Sequence, residues 1–206
     1  MQRTIGRPRG RPRRTDRTVV PAADPPPIDR DAALAAFLDE GYSFRLLVGM
    51  RWPGGVHCPH CGEADPGYLE TRQIWKCRRP TCRRQFSVRV NTLFEDSPIA
   101  LGQWLSALWL VANHPGGISS YGLREALGVT QKTGWLMLRR IRLASERASV
   151  VCRDGADARE RFLSITSGVL SVPRTLLSET SPETIERARM PFHGSNIGGS
   201  GVLAGT

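Results

Sequence analysis

The sequence predicts an α+β chain: a small zinc-ribbon β module followed by a three-helix segment, flanked by a disordered N-terminal arm and a weakly ordered C-terminal tail. Three observations carry this. Two close cysteine pairs, Cys58/Cys61 and Cys77/Cys82, lie fifteen residues apart. Short β-prone stretches surround them. After residue 97 the apolar residues change to helical spacing. At 206 residues the chain has room for one domain or two small ones. Its charge and composition divide it at residues 1–28, 29–57, 58–90, 91–148 and 149–206.

The net charge is +10 and the pI is near 10.4, which points to a polyanionic partner. Of 29 basic residues only Lys76 and Lys132 are lysine. No apolar run is long enough for a membrane span, which needs about 18 residues. A basic chain without a signal peptide is expected in a reducing bacterial cytoplasm, associated with the nucleoid. Cys152 is left without a partner and reads as an inert thiol.

Residues 1–28 are rich in Arg, Pro and Gly, carry +5, and read as disordered. The core Arg9-Gly10-Arg11-Pro12 resembles an AT-hook. Proline keeps such a segment extended, and glycine has no side chain to clash with a groove floor. Arg9 and Arg11 would then enter the narrow minor groove of A·T-rich DNA. The alternative is a solvated basic tail that touches phosphates without preference.

In the lead-in, residues 31–38 read as a helix capped by Asp29 or Asp31 and ended by Gly41. Residues 44–48 read as a second, short helix. The side chains of Phe37, Leu38, Leu46 and Trp52 are expected to pack against the ribbon, with no chemistry of their own.

Cys58-Pro59-His60-Cys61 and Cys77-Arg78-Arg79-Pro80-Thr81-Cys82 have the spacing of a four-thiolate zinc site, with a wide second gap. Gly62 stands where such a knuckle often needs positive φ. Between the pairs, residues 73–76 read as a strand with 68–70 as its hairpin partner. Residues 85–90 alternate, with Phe86, Val88 and Val90 on one face. The alternative, two disulfides, fits a reducing compartment poorly. Four thiolates leave no open position for water, so the zinc is structural. Arg78, Arg79, Arg83 and Arg84 make the knuckles basic and are candidate DNA contacts.

Leu101, Trp104, Leu105, Leu108, Trp109 and Ala112 mark an amphipathic helix closed by Pro115-Gly116-Gly117. Ser119-Ser120 caps a short helix that Gly128 ends, and Thr130 caps a third from Gln131 to about Arg147. Its expected buried stripe is Trp135, Leu138, Ile141 and Ala144. Two helices joined by a glycine turn behind a packing helix form the helix-turn-helix pattern. Gln131, Lys132 and Thr133 would meet base edges, flanked by Arg139, Arg140, Arg142 and Arg147 toward phosphates. The bland alternative is a three-helix bundle with a solvated basic face.

These motifs together resemble the zinc-ribbon type of bacterial insertion-sequence transposase. The resemblance runs through Arg51-Trp52-Pro53, Cys58-Pro59-His60-Cys61-Gly62, Trp75 before Cys77, and the stretch 82–88. It continues through 92–97 and 128–135, in order over about residues 30–147. It implies binding to double-stranded DNA at the ends of a mobile element, with self or an intact transposase as further partners. Three features depart from the family pattern: Asn91 replaces an expected Gly, Gly134 an expected Ala, and the second cysteine gap is wide. The family's RNase H-like catalytic domain would follow residue 147, and the remaining residues are too few for it. Asp154, Asp157 and Glu160 read as a solvated face, so no catalytic residue is assigned. Residues 159–172 read as a helix stopped by Pro173, and 182–189 as another. The rival readings are a transcription regulator of the same modules, the DNA-binding part of a transposase completed by a separate chain, and a structural zinc module that binds protein.

Overall fold

In the computed structural model, residues 20–150, 155–173 and 175 are described. The arm with Arg9, Gly10 and Arg11, Cys152, Asp154 and the stretch 176–206 lie outside them. Among the described residues, three β-strands and six α-helices share one hydrophobic core.

Helix α1 spans Arg30–Phe37, and the Asp29 carboxylate accepts from the Ala32 amide at 2.9 Å. Gly41 does not end it. Asp39 starts a new helix, α2 (Glu40–Arg51), by accepting from the Gly41 and Tyr42 amides at 2.8 and 3.1 Å. Gly41 therefore lies inside the first turn of α2, which is longer than the expected 44–48 segment. A capping carboxylate satisfies amides that a helix start leaves open, and here it overrides glycine as the boundary signal. Leu38, expected against the ribbon, is 82% exposed, and Phe37, expected there too, packs on Trp109 and Phe162 instead.

Strands β1 (Gly67–Leu69), β2 (Ile74–Lys76) and β3 (Gln85–Phe86) form an antiparallel sheet in that order. Tyr68 faces Trp75 across one pair, and Trp75 faces Phe86 across the other. The Trp75 ring is buried and lies 5.1 to 5.9 Å from those of Tyr68, Trp52, Phe44 and Phe86. Phe44 and Trp52 come from α2 and its end, so the sheet and α2 are joined by one aromatic cluster. A sheet of this size has little core of its own, and the lead-in helix supplies the missing apolar face.

The expected strand 85–90 stops at Phe86. Phe86 and Val88 are buried as the alternation predicts, but residues 88–91 turn. The cause is a clamp. Arg51 donates to the carbonyls of Val88 and Val90, both at 2.6 Å, and Asn91 takes φ of 58°. Carbonyls engaged by a guanidinium are not free for a ladder, and Asn tolerates the left-handed region that the missing Gly would have used.

Helix α3 (Leu101–Asn113) is the centre of the fold rather than an amphipathic surface helix. Besides the expected stripe, Ala107, Leu110 and Val111 are buried, and only Ala112 of the stripe is partly exposed. Helices surround it, which is what burial on all sides requires. Gly102 makes the closest approach possible: a Cβ there would lie 2.0 Å from the Phe37 carbonyl oxygen. That carbonyl also accepts from the Ser43 hydroxyl at 3.0 Å.

Helices α4 (Ser120–Leu127) and α5 (Gln131–Arg147) follow. The helix expected over 159–172 forms as α6 (Ala158–Ser171), and it packs into the core. Phe162 is fully buried, 5.4 Å from the rings of both Phe37 and Trp109. Arg159 donates to the Pro26 carbonyl at 2.7 Å, and Arg161 to Asn113 at 2.9 Å. Asp157 caps α6, and Glu160 is exposed in its first turn. No helix among the described residues is long and apolar enough to cross a membrane.

Candidate metal centre and nucleic-acid interface

The two knuckles close on the same geometry despite their unequal gaps. In the first, Gly62 takes φ of 73° and donates to the Cys58 carbonyl at 2.8 Å. In the second, Arg83 takes φ of 48° and donates to the Arg79 carbonyl at 3.1 Å. Each knuckle thus places a left-handed residue directly after its second cysteine, bonded four residues back. The second turn begins at Arg79 instead of Cys77. Cys77 remains tied to the sheet, its amide donating to the Arg84 carbonyl at 2.9 Å.

The result brings four free thiols together. All four Sγ atoms lie within 4.8 Å of one another. The Cys58–Cys82 and Cys61–Cys77 separations are 3.9 and 3.5 Å. Thiolates around a tetrahedral zinc with bonds of about 2.3 Å sit roughly 3.8 Å apart, so the donor set and its spacing fit zinc and not two disulfides. Among the described residues this is the one group of three or more His, Cys, Asp or Glu side chains close enough to share a metal ion. Cys58 and Cys77 are buried, and Cys61 and Cys82 are half-buried. The Glu63 amide holds the Cys61 thiol down to about 7, whereas burial pushes the Cys77 thiol up to about 12. A four-cysteine cluster of this kind is a structural zinc site, closed to water.

Basic residues ring the cluster in two distinct ways. Arg79 joins the knuckles, with its Nε 2.9 Å from a Glu63 carboxylate oxygen and its Nη1 3.4 Å from the Cys61 carbonyl. Arg78 pairs with Asp65 at 3.6 Å. Arg83 and Arg84 are exposed, and Arg84 touches the His60 ring at 3.4 Å. The Glu63–Arg79 clasp is absent from the sequence expectations; its signal is an acid two residues after Cys61 and an arginine two after Cys77.

The α4–α5 turn forms as its sequence dictates. Ser119 accepts from the Gly122 amide at 3.1 Å, and Gly128 ends α4 at φ of 64°. Thr130 accepts from the Thr133 amide at 3.1 Å. Gly134 is buried where the helices cross: a Cβ there would lie 2.8 Å from the Ser120 carbonyl oxygen. This close crossing accounts for glycine at a position where alanine is expected.

The crossing also rotates α5 away from its expected register. Leu138, Ile141 and Ala144 are buried, joined by Gly134 and Met137. Trp135, expected in that stripe, is 37% exposed, and Leu136 beside it is 36% exposed. Of the residues expected to read bases, Lys132 alone is exposed. Gln131 is half-buried and donates to the Ser120 hydroxyl at 2.9 Å. The Thr133 hydroxyl lies 2.8 Å from that of Thr130. Arg140 donates to the Leu93 carbonyl at 3.2 Å. Arg142 is only 6% exposed and donates to the Ile118 carbonyl at 3.4 Å. These two arginines fasten α5 to the rest of the fold; the buried Arg142 does not flank it toward phosphates as expected, whereas Arg140 is half-buried. Arg139 lies over the Trp135 ring at 5.4 Å, and Arg147 is exposed at the far end of α5.

Comparison with known proteins agrees with the cysteine geometry. Over 77 residues the chain is 32% identical to a protein of Halobacterium salinarum described as an uncharacterized protein in transposable element ISH50. That stretch is 37% of this chain and only 26% of the relative's length. No solved structure matches. Residues 38–85, from the end of α1 through α2 and both knuckles to β3, match the IS1595-type transposase zinc-ribbon domain.

Proposed function

We infer that the chain is a zinc-dependent binder of double-stranded DNA, comparable to the part of an insertion-sequence transposase that holds the element ends. One observation carries this reading. A zinc ribbon of transposase type shares a core with two helices joined at Gly128, and the second of them starts with an outward lysine. That pairing of helices has the form of a helix-turn-helix, in which the N-terminal turns of the second helix enter the major groove. From Gly128 to Ser145 the chain has no acidic residue, so nothing on α5 ahead of Glu146 repels phosphate. The exposed Arg83 and Arg84 are proposed phosphate contacts, with Arg78 and Arg79 beside them in exposed ion pairs that phosphate can compete for. The Arg9-Gly10-Arg11 arm is proposed to add a minor-groove contact.

The test is selection of bound duplexes from random DNA by the purified, zinc-loaded chain, followed by affinity measurement over a salt series. A shared motif among the selected duplexes, with affinity falling steeply as salt rises, supports the reading. Recovery of no enriched sequence and no salt-dependent retention would return the chain to a structural module that binds protein.

A further inference from the structure

Four side chains lie along one face of α5 near its start: Lys132, Trp135 and Leu136, which are exposed, and Arg139, which is half-buried. Helical spacing puts them on one face, since 132, 135, 136 and 139 are separated by three, four and seven positions. Their neighbours on the helix are otherwise engaged. Gln131 and Thr133 bond within the turn, and Arg140 and Arg142 bond to carbonyls elsewhere in the fold. Lys132 and Arg139 form no ion pair with a described residue. The Arg139 guanidinium lies over the Trp135 ring, which orients both side chains. The face is thus an adjacent apolar pair bracketed by two cations.

This combination selects its occupant. A protein partner of ordinary composition would leave Lys132 and Arg139 facing it without carboxylates unless it supplied them. The major groove supplies both requirements at once. Phosphates line its edges, and thymine presents a C5-methyl group on its floor, the one apolar group by which base pairs differ there. A surface tryptophan and leucine offer no acceptor to a base edge; Trp135 offers one N–H donor and Leu136 none. Their contribution to recognition is therefore contact with a methyl group.

We propose that Trp135 and Leu136 read thymine C5-methyl groups in the major groove, with Lys132 and Arg139 holding the flanking phosphates. The proposal rests on the helix-turn-helix reading given above. It moves base recognition from Gln131 and Thr133 to the apolar pair one turn further along α5.

Replacing thymine by deoxyuridine removes the methyl and leaves every hydrogen-bonding group of the base pair in place. The experiment uses the full zinc-loaded chain and its selected duplex, with each thymine replaced in turn. At one or two positions the replacement is expected to weaken binding about fourfold, the equivalent of burying one methyl group, about 0.8 kcal/mol. In the Trp135→Ala/Leu136→Ala double variant the discrimination between thymine and deoxyuridine should fall to about onefold. Trp135 and Leu136 are 37% and 36% exposed, so the double variant is expected to melt somewhat lower, and the thymine-to-deoxyuridine ratio measured on the folded variant separates lost recognition from that loss of packing. Lys132→Ala should weaken both duplexes alike and keep the discrimination. Equal affinity of the unaltered chain for thymine and deoxyuridine at every position would overturn the proposal while leaving DNA binding intact. A double variant that loses self-association and weakens on both duplexes equally would also overturn it, assigning the pair to an interface between copies. A chain that binds no duplex at all would remove the helix-turn-helix reading, and this inference with it.

Discussion

Arg140 on α5 donates to the carbonyl of Leu93, 47 residues earlier in the chain, at 3.2 Å. Leu93 lies on the linker between the ribbon and α3, and two more arginines grip the same linker. Arg51 from α2 holds the Val88 and Val90 carbonyls, and Arg89 holds those of Ser97 and Ile99 at 2.9 and 2.7 Å. A linker without strand pairing leaves carbonyls that must find donors when buried. Guanidiniums supply them in pairs, and burial pushes Arg51 down to about 10, still protonated at neutral pH. Part of the chain's positive charge is therefore internal architecture and is not available to a polyanion.

This division predicts opposite phenotypes for two basic residues on one helix. Arg140→Ala leaves the Leu93 carbonyl without its charged donor, which costs about 1–3 kcal/mol of stability. Lys132→Ala touches no described partner and should leave the melting temperature unchanged. It should instead lower the slope of log affinity against log salt by about 0.9, the value for one neutralised phosphate. Thermal melts and a salt series on the two variants check both halves; a destabilised Lys132→Ala would contradict the assignment.

Gly102 and Gly134 are both helical glycines, yet alanine should act differently at each. Alanine gains about 1 kcal/mol in helix propensity at either site. At Gly102 the new Cβ would lie 2.0 Å from the Phe37 carbonyl oxygen, so α1 and α3 must separate. Overpacking of that kind costs about 3 kcal/mol or more and outweighs the gain. At Gly134 the gap to the Ser120 carbonyl oxygen is 2.8 Å, and the two effects nearly cancel. Gly134→Ala should therefore melt close to the unaltered chain while its DNA affinity falls, because the start of α5 is re-aimed. Denaturant titration and DNA binding on the same two proteins separate these outcomes.

The contrast between legible and illegible features follows sequence distance. The four cysteines, the caps at Asp29, Ser119 and Thr130, and the left-handed Gly62 and Gly128 are all set by neighbours close in the chain, and each is legible there. The exposure of Trp135 is not. A period of three through 135, 138, 141 and 144 looks buried; 138, 141 and 144 are, and the crossing at Gly134 takes the place of Trp135 in the contact and leaves that ring outward. The glycine, rather than the tryptophan, marks the contact point. The packing of α6 is illegible for the same reason: Phe162 meets Phe37 and Trp109, partners that lie more than fifty residues away. Arginines that clamp carbonyls are also silent in sequence, since nothing local distinguishes them from phosphate-binding ones.

The arm offers a test that depends on none of these interactions. Deleting residues 1–17 removes seven arginines. The salt slope should fall by roughly 0.9 for each phosphate that the arm neutralises. If Arg9-Gly10-Arg11 enters the minor groove, affinity should drop further on A·T-rich than on G·C-rich duplexes, where the groove is wider and less negative. An equal drop on both would reduce the arm to a phosphate-binding tail.

Zinc should be stoichiometric, one ion per chain, in protein purified without chelator. The ligands are Cys58, Cys61, Cys77 and Cys82, and metal analysis by atomic emission checks the count. Binding requires thiolates, and Cys77, which burial pushes up to about 12, must lose a proton that it would otherwise hold at neutral pH. The sign follows: protons compete with zinc for the sulfurs, so affinity rises with pH, and acidification releases the metal. Because the ribbon's sheet is three short strands, the metal supplies much of its folding free energy, on the order of 10 kcal/mol. Chelation or Cys77→Ser should therefore unfold β1–β3 and free Trp75 from its aromatic cluster, red-shifting its fluorescence. Helices α3 to α6, which pack around Trp104 and Trp109, should keep their circular dichroism. Retention of the full near-ultraviolet spectrum after zinc removal would show that the α2 aromatic cluster, and not the metal, holds the ribbon together.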